Sequence, residues 1–211
     1  MTTSTQPQQK LTFEQFLEYS PDEEGRYELV DGEIVRILAT RQHDDVADFI
    51  ADSIKAEINR LGLNYKVSDR IVVRTFTQDG KEQGRHPDVS VVDRTIWESN
   101  RTAYSALREP LQLAIEVVST NWEDDYIDKL DEYQRLGISE YWIVDYLALG
   151  SRTYLGNPKQ PAVFVFLLDD AGKSQYTRFR EGDACGNPCG ERIISQTFPE
   201  LTLTIEQVLQ A

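Results

Sequence analysis

Glu116 stands in the stretch LQLAIEVVS, residues 111–119, between Ile115 and the pair Val117-Val118. A strand of that composition reads as buried on both faces. An ionised carboxylate left there without a partner is expensive, and it would neutralise unless something cationic met it. Three other groups bear on it. Asp88 opens the apolar run of HPDVSVVD, residues 86–93, where Pro87 fixes the chain's entry and removes a donor. Lys129 lies in the segment after the Glu116 strand, and Glu28 lies in YELVDGEI, residues 27–34. Asp88 and Glu116 at the ends of neighbouring strands make an oxygen-rich pocket suited to Mg²⁺, which keeps several waters and takes one or two protein carboxylates. That ion answers Glu116 with one countercharge and Lys129 with a second.

Taken singly, three of the four have plainer readings. Asp88 is a turn-terminating aspartate and Glu28 a strand-edge carboxylate. Lys129 is an exposed i,i+4 partner of Asp125, worth about 0.3–0.5 kcal/mol. Glu116 alone has no cheap solvated explanation unless its strand end opens into a cleft. Of the two histidines, His43 precedes a helix and reads as a local cap or surface residue. His86 lies beside Asp88, within reach of metal or phosphate, although Arg85 and Pro87 on either side suggest an exposed loop. Arg70, Arg74, Arg85, Arg94 and Arg101 are candidates for a phosphate-positioning surface, because arginine pairs bidentately with phosphate. Asp145 reads as a strand-terminating turn residue. No Gly-rich phosphate loop, Ser-His-Asp arrangement or dinucleotide fingerprint is present.

The elements that must carry these groups are marked in the sequence. Thr12-Phe-Glu-Gln15 is a capping-box pattern opening a short helix that ends near Tyr19. Asp31-Gly32 between two apolar stretches predicts a hairpin over 27–37. Val46, Ile50, Ile54 and Ile58 predict a helix from about Asp44 to Leu61, with Gly62 placed to end it. Strands are expected at 65–67, 71–76 and 89–92, and a loop or short helix over 94–109. A helix over Asp124–Leu136, closed by Gly137, follows the Glu116 strand, and EYWIVD (140–145) is another strand. SRTYL (151–155), AVFVFLL (162–168) and SQYTRF (174–179) extend the sheet as a meander, and TIEQVLQ (204–210) is a terminal helix. The fold class is α/β or α+β, a mixed sheet flanked by helices.

Length allows one well-buried domain: 211 residues are too few for two comfortable ones. Residues 1–10 read as a frayed polar tail before a single domain over 11–211. No apolar run approaches a membrane span and no signal peptide is evident, so the cytoplasm is the expected location. Cys185 and Cys189 in ACGNPCG read as thiols in a Gly/Pro turn, with neither a disulfide nor a zinc site favoured. The formal net charge of −14 disfavours loose binding to polyanions. That charge is uneven, because Lys66–Arg108 holds eight basic against six acidic residues. The acidic surplus elsewhere suits a protein that gathers divalent cations.

The succession YELVDGEI, His43, PDVSVV, IEVVS, the D-x3-K-x3-Y run of Asp125, Lys129 and Tyr133, and EYWIVD resembles the Uma2 family. These are restriction-endonuclease-like proteins of the PD-(D/E)XK nuclease superfamily. The resemblance covers about residues 11–150, with 151–211 as a C-terminal β meander and helix. It implies a restriction-endonuclease-like core and hydrolysis of phosphodiester bonds in nucleic acid, DNA first. Asp88 then matches the PD aspartate and Glu116 the acid of the ExK element. Val118 stands where the simplest pattern has lysine, and Lys129 from the following helix takes that place. Glu28 matches an additional N-terminal acid. The implied ligands of Mg²⁺, or of Mn²⁺ as a substitute, are Asp88, Glu116 and the Val117 carbonyl. Lys129 orients the attacking water or stabilises charge on phosphorus. Tyr133 either fixes the lysine by a hydrogen bond or fills the core. A homodimer is expected, since cutting both strands of a duplex suits two-fold symmetry, with the exposed edge of the meander as its interface. The competing reading is a nuclease fold without catalysis, acting as a binding or dimerisation module.

Overall fold

The structure is a computed structural model that describes residues 10–19, 25–181 and 192–211. The tail expected over 1–10 falls outside these except for its last residue, as do both cysteines.

Helix α1 (Phe13–Glu18) carries the expected capping box, with Thr12 and Gln15 each satisfying the other's backbone N–H. Strands β1 (Arg26–Val30) and β2 (Glu33–Ile37) form the hairpin. Its turn needs positive φ twice, and Asp31 (φ 51°) and Gly32 (φ 79°) provide it. Helix α2 (Arg41–Leu61) starts at Arg41 rather than Asp44, because the Thr40 hydroxyl accepts from the His43 N–H and draws one more turn into the helix. Gly62 ends it in the left-handed conformation.

The strands divide into two sheets where one was expected. After α2 come β3 (Tyr65–Ser68), β4 (Val72–Phe76), β5 (Glu82–Arg85) and β6 (Val89–Asp93), then helix α3 (Arg94–Glu98) and the short β7 (Ala106–Leu107). Next is β8 (Leu113–Val117), followed by a π-helical segment (Asp124–Asp128) that runs into α4 (Lys129–Leu136). Strand β9 (Glu140–Asp145), helix α5 (Arg152–Leu155), strands β10 (Ala162–Leu168) and β11 (Ser174–Phe179) and helix α6 (Ile205–Leu209) complete the order. The five-stranded sheet runs β2-β1-β5-β4-β7 and the six-stranded sheet β11-β10-β9-β8-β6-β3. The chain passes between the sheets several times, and one of these crossings, His86-Pro87-Asp88 between β5 and β6, carries Asp88 to the second sheet.

The structure adds one strand that the sequence did not announce and turns one expected strand into a helix. EQGR lacks apolar alternation, yet it forms β5, because Gly84 lets the strand lie against Phe13, Phe16 and Leu29. An added Cβ there would meet all three at 3.2–3.3 Å. SRTYL is helix α5 rather than a strand, closed by Gly156 donating to the Arg152 carbonyl.

The six-stranded sheet is buried on both faces. Leu113, Ile115 and Val117 of β8 pack with Val46, Ile50 and Ile54 of α2 on one side. Ala114 and Val118 face the other way, towards Tyr133, Tyr141 and Ile143. Strand alternation therefore aims Glu116 at the α4 face. Among the described residues no helix is long and apolar enough to cross a membrane.

Candidate active site

Register fixes the first pair. Val89 faces Ile115 in the antiparallel β6–β8 ladder, so one step along sets Asp88 beside Glu116, at the start of one strand and the end of its neighbour. Both are buried, at 5% and 2% exposure. The Val117 N–H donates to Asp88 Oδ2 at 2.8 Å, which locks that carboxylate onto β8. Glu28 comes from β1 in the other sheet and accepts from the His86 N–H at 3.0 Å.

Lys129 closes the group. Its Nζ lies 3.0 Å from Glu116 Oε2, 3.3 Å from Asp125 Oδ1 and 3.4 Å from Glu28 Oε1. The plain reading of Lys129 as an exposed partner of Asp125 is half right: the pair forms, but the amine is buried. Tyr133 donates to Glu116 Oε1 at 2.6 Å, so it fixes the carboxylate rather than the lysine, and it is also a core aromatic. The π-helical segment matters to this geometry. Its wider turn carries Asp125 and Lys129 over the end of β8, where both enter the same cleft.

The cleft, of about 190 Å³, is lined by Glu28, His43, His86, Asp88, Glu116, Asp125 and Lys129, with Val35–Ala39 forming one rim. Burial pushes Glu116 up to about 8; Lys129 opposes this, while Asp88, Asp125 and Glu28 add to it. Asp125 rises to about 6, again from burial first. Burial works against ionising Asp88 too, but the His43 hydrogen bond and the charges of Arg26 and Lys129 bring it down to about 2. Burial alone would discharge Lys129; the surrounding Glu116, Glu28, Asp125 and Asp88 hold it firmly protonated.

Four residues at the site went unrecognised or were misread in the sequence. His43 is neither a surface residue nor only part of a cap: it is buried, with Nε2 2.8 Å from the Val117 carbonyl and 3.3 Å from Asp88 Oδ2. It lies on the inward stripe of α2, one turn before Ala47 and two before Ile50, and that periodicity was the available signal. Arg26 had no signal beyond its strand, yet its guanidinium sits 3.0 Å from Asp88 Oδ1. Asp125 and Glu132 share a helical face with Lys129, at spacings of four and three residues.

The two remaining corrections concern exposure. His86 is buried rather than in an open loop, and burial together with Arg26 holds its imidazole down to about 4, in the neutral form. Arg85 is no surface phosphate contact: it is 3% exposed, bonded through two nitrogens to Glu132 at 2.6 and 2.8 Å and through a third to Glu28 at 3.2 Å. Arg74 is half-buried beside Glu82, while Arg70 is exposed.

Comparison with known proteins gives the family and the fold. A family model described as "Putative restriction endonuclease", Uma2, matches residues 13–206. The chain belongs to the Uma2 family. Four solved chains match it. One, described as "a putative nuclease belonging to DUF820 from Anabaena variabilis", superposes with a TM-score of 0.67 at 17% identity, over 95% of the Uma2 chain and 98% of its own. That likeness carries the fold. No curated protein matches the sequence.

Proposed function

We propose that the chain is a Mg²⁺-dependent endonuclease that hydrolyses phosphodiester bonds in nucleic acid, DNA first. The observation that carries this reading is the convergence of Lys129 Nζ with Glu116, Glu28 and Asp125 beside Asp88, in a cleft at the meeting of two strand ends.

The donor set fits a divalent ion. Five carboxylates (Glu28, Asp88, Glu116, Asp125 and Glu132) face three permanent cations, Arg26, Arg85 and Lys129. With all five ionised, two negative charges are left over; without metal, Glu116 is pushed up to about 8 and keeps a proton instead, and a divalent cation would take that proton's place. Among the described residues no cluster of three or more His, Cys, Asp or Glu side chains stands ready to ligate. Mg²⁺ does not require one, since two carboxylates, a carbonyl and waters suffice. Asp88, Glu116 and the Val117 carbonyl would hold it, and Mn²⁺ is its natural substitute. His43 Nε2 already points at two of those oxygens and would add a nitrogen ligand once it gives up its proton, the ring then being neutral with its hydrogen on Nδ1. When bound, the ion polarises the scissile phosphate and acidifies water.

The chain's own groups do the rest. Lys129, kept charged by its carboxylates, offers N–H donors where negative charge develops on the phosphoryl oxygens. Tyr133 holds Glu116 in one orientation, and Arg85 does the same for Glu28.

The second reading, a nuclease fold kept as a binding or dimer-forming module, has one observation in its favour. Arg26, His43 and the Val117 N–H already engage Asp88, while Tyr133 and Lys129 engage Glu116. The test is cleavage of single- and double-stranded DNA and RNA with Mg²⁺ or Mn²⁺, beside Glu116→Gln and Lys129→Met. Loss of about 100-fold or more in both variants is expected. Cleavage unchanged in either rejects the mechanism, and an absence of both cleavage and metal binding selects the module.

A further inference from the structure

The hollow surface continues past Asp88. His86 lines the acidic cleft and also a second groove, of about 440 Å³, whose walls include Arg26, Tyr27, Arg70 and Tyr104. Tyr104 in turn lines a third, of about 390 Å³, together with Trp97 and Arg101. The three hollows are neighbours in a row, His86 standing between the first two and Tyr104 between the last two.

Charge, flat rings and an unanswered donor say what fits. Most arginines of this acidic chain are committed to ion pairs or carbonyls. Arg70 and Arg101 are exposed, and neither guanidinium has a partner among the described residues. Single acids, Asp69 and Glu109, stand in the same grooves, so neither groove carries the negative surplus of the whole molecule. Tyr104 presents its ring to solvent at 64% exposure. The Tyr27 ring lies so close over Gly25 that a Cβ there would come within 2.3 Å of it, so the chain leaves room for that ring in the groove wall. His86 stands where cleft and groove meet. Arg26 Nε donates to its Nδ1 at 3.5 Å, which assigns the imidazole proton to Nε2. That N–H is buried, in a residue 6% exposed, and has no acceptor. A turn of the ring would bring that N–H, closed to solvent in this conformation, to a phosphate oxygen at the junction.

We infer that this track binds a single strand of nucleic acid leaving the cleft, with phosphates on Arg70, Arg101 and the His86 N–H and bases against Tyr104 and Tyr27. An exposed ring and a half-buried one between unpaired cations are what a flexible strand uses, because every base has a face to stack. A duplex keeps its bases inside and would leave the rings idle. The inference rests on the reading of the cleft as a phosphodiesterase, whose product strand the track would hold.

Fluorescence anisotropy in EDTA, where cleavage has no divalent ion, tests it with labelled single-stranded DNA, single-stranded RNA and the matching DNA duplex. Either single strand should bind about tenfold or more tighter than the duplex. Tyr104→Ala should weaken strand binding about fivefold or more without moving Tm. Arg70→Ala and Arg101→Ala should each flatten the dependence of log affinity on log salt by about 0.7. Equal affinity for the duplex, or a Tyr104→Ala variant that binds strands like the parent, overturns the track. The two ideas fail separately. Tyr104-dependent binding without any cleavage removes the nuclease and leaves the track; Lys129-dependent cleavage with binding indifferent to Tyr104 does the reverse.

Discussion

At the scale of residues, the site is an excess of buried acid held around one amine. Glu116 bears most of that excess, since burial and three neighbouring carboxylates all favour its neutral form. Glu116→Gln imitates that form, so it should abolish cleavage while shifting Tm by only a few degrees, as read by calorimetry beside the nuclease assay. The same excess sets a pH dependence. A divalent ion must displace the proton from Glu116, so Mn²⁺ affinity by titration calorimetry should rise as pH climbs from about 6 to about 8, with proton release. For the metal-free fold the sign reverses. The folded chain retains protons that the unfolded chain has released, so stability falls as pH rises from the ordinary carboxylate range towards about 8. Glu116 was legible in the sequence because a charge in an apolar strand contradicts its surroundings. Arg26 was not, because a half-exposed arginine on a strand contradicts nothing until Asp88, distant in the chain, is brought to it. His43 lay between these cases: its stripe was readable, but position before the apolar run made it look like a cap.

At the scale of elements, the π-helical entry to α4 sets the angle at which Lys129 enters. Deleting Ile127, an exposed residue of that segment, should restore an ordinary α-turn and rotate Asp125 and Lys129 out of shared register. The expected outcome is unchanged helicity by circular dichroism and lost cleavage. Retained cleavage would show that the wider turn is incidental. Arg85 ties β5, β1 and α4 together through Glu28 and Glu132, and Thr75 of β4 adds a 2.6 Å bond to Glu132. Arg85→Ala leaves buried Glu132 without a cation and Glu28 with Lys129 alone, at a cost of about 3–5 kcal/mol. A fall in Tm of roughly 10 °C follows for a chain of this size. The hairpin, α2 and the apolar strands were readable because turn chemistry and periodicity are local. Strand β5 was not, since EQGR is held by a close approach at Gly84 to residues far away in the chain. SRTYL misled because five residues of mixed propensity carry no period, and Ser151 and Gly156 at its ends were the better guide.

At the scale of the whole molecule, the α/β class was readable from the order of elements, but the split into two sheets was not. It depends on the chain changing sheets repeatedly, at Pro87 among other places, and a proline before a strand looks the same whichever sheet the strand joins. That crossing is also what sets Glu28 from one sheet against Asp88 and Glu116 of the other. The proposed homodimer belongs to this scale. β11 is an edge of the six-stranded sheet, and Tyr176 on it is 52% exposed, its ring 5.2 Å from that of Phe166. Light scattering should give the mass of two chains, and Tyr176→Lys should halve it. A parent mass of one chain would remove β11 as an interface.

The account as a whole turns on a divalent ion at the strand ends. Crystals grown with Mn²⁺, with data collected at its absorption edge, address this directly. The expected result is an anomalous peak within about 2.0–2.3 Å of oxygens from Asp88, Glu116 and the Val117 carbonyl, a little beyond Mg²⁺ distances. Density showing Lys129 and His43 still seated on those oxygens at saturating Mn²⁺, with no peak between them, would contradict it.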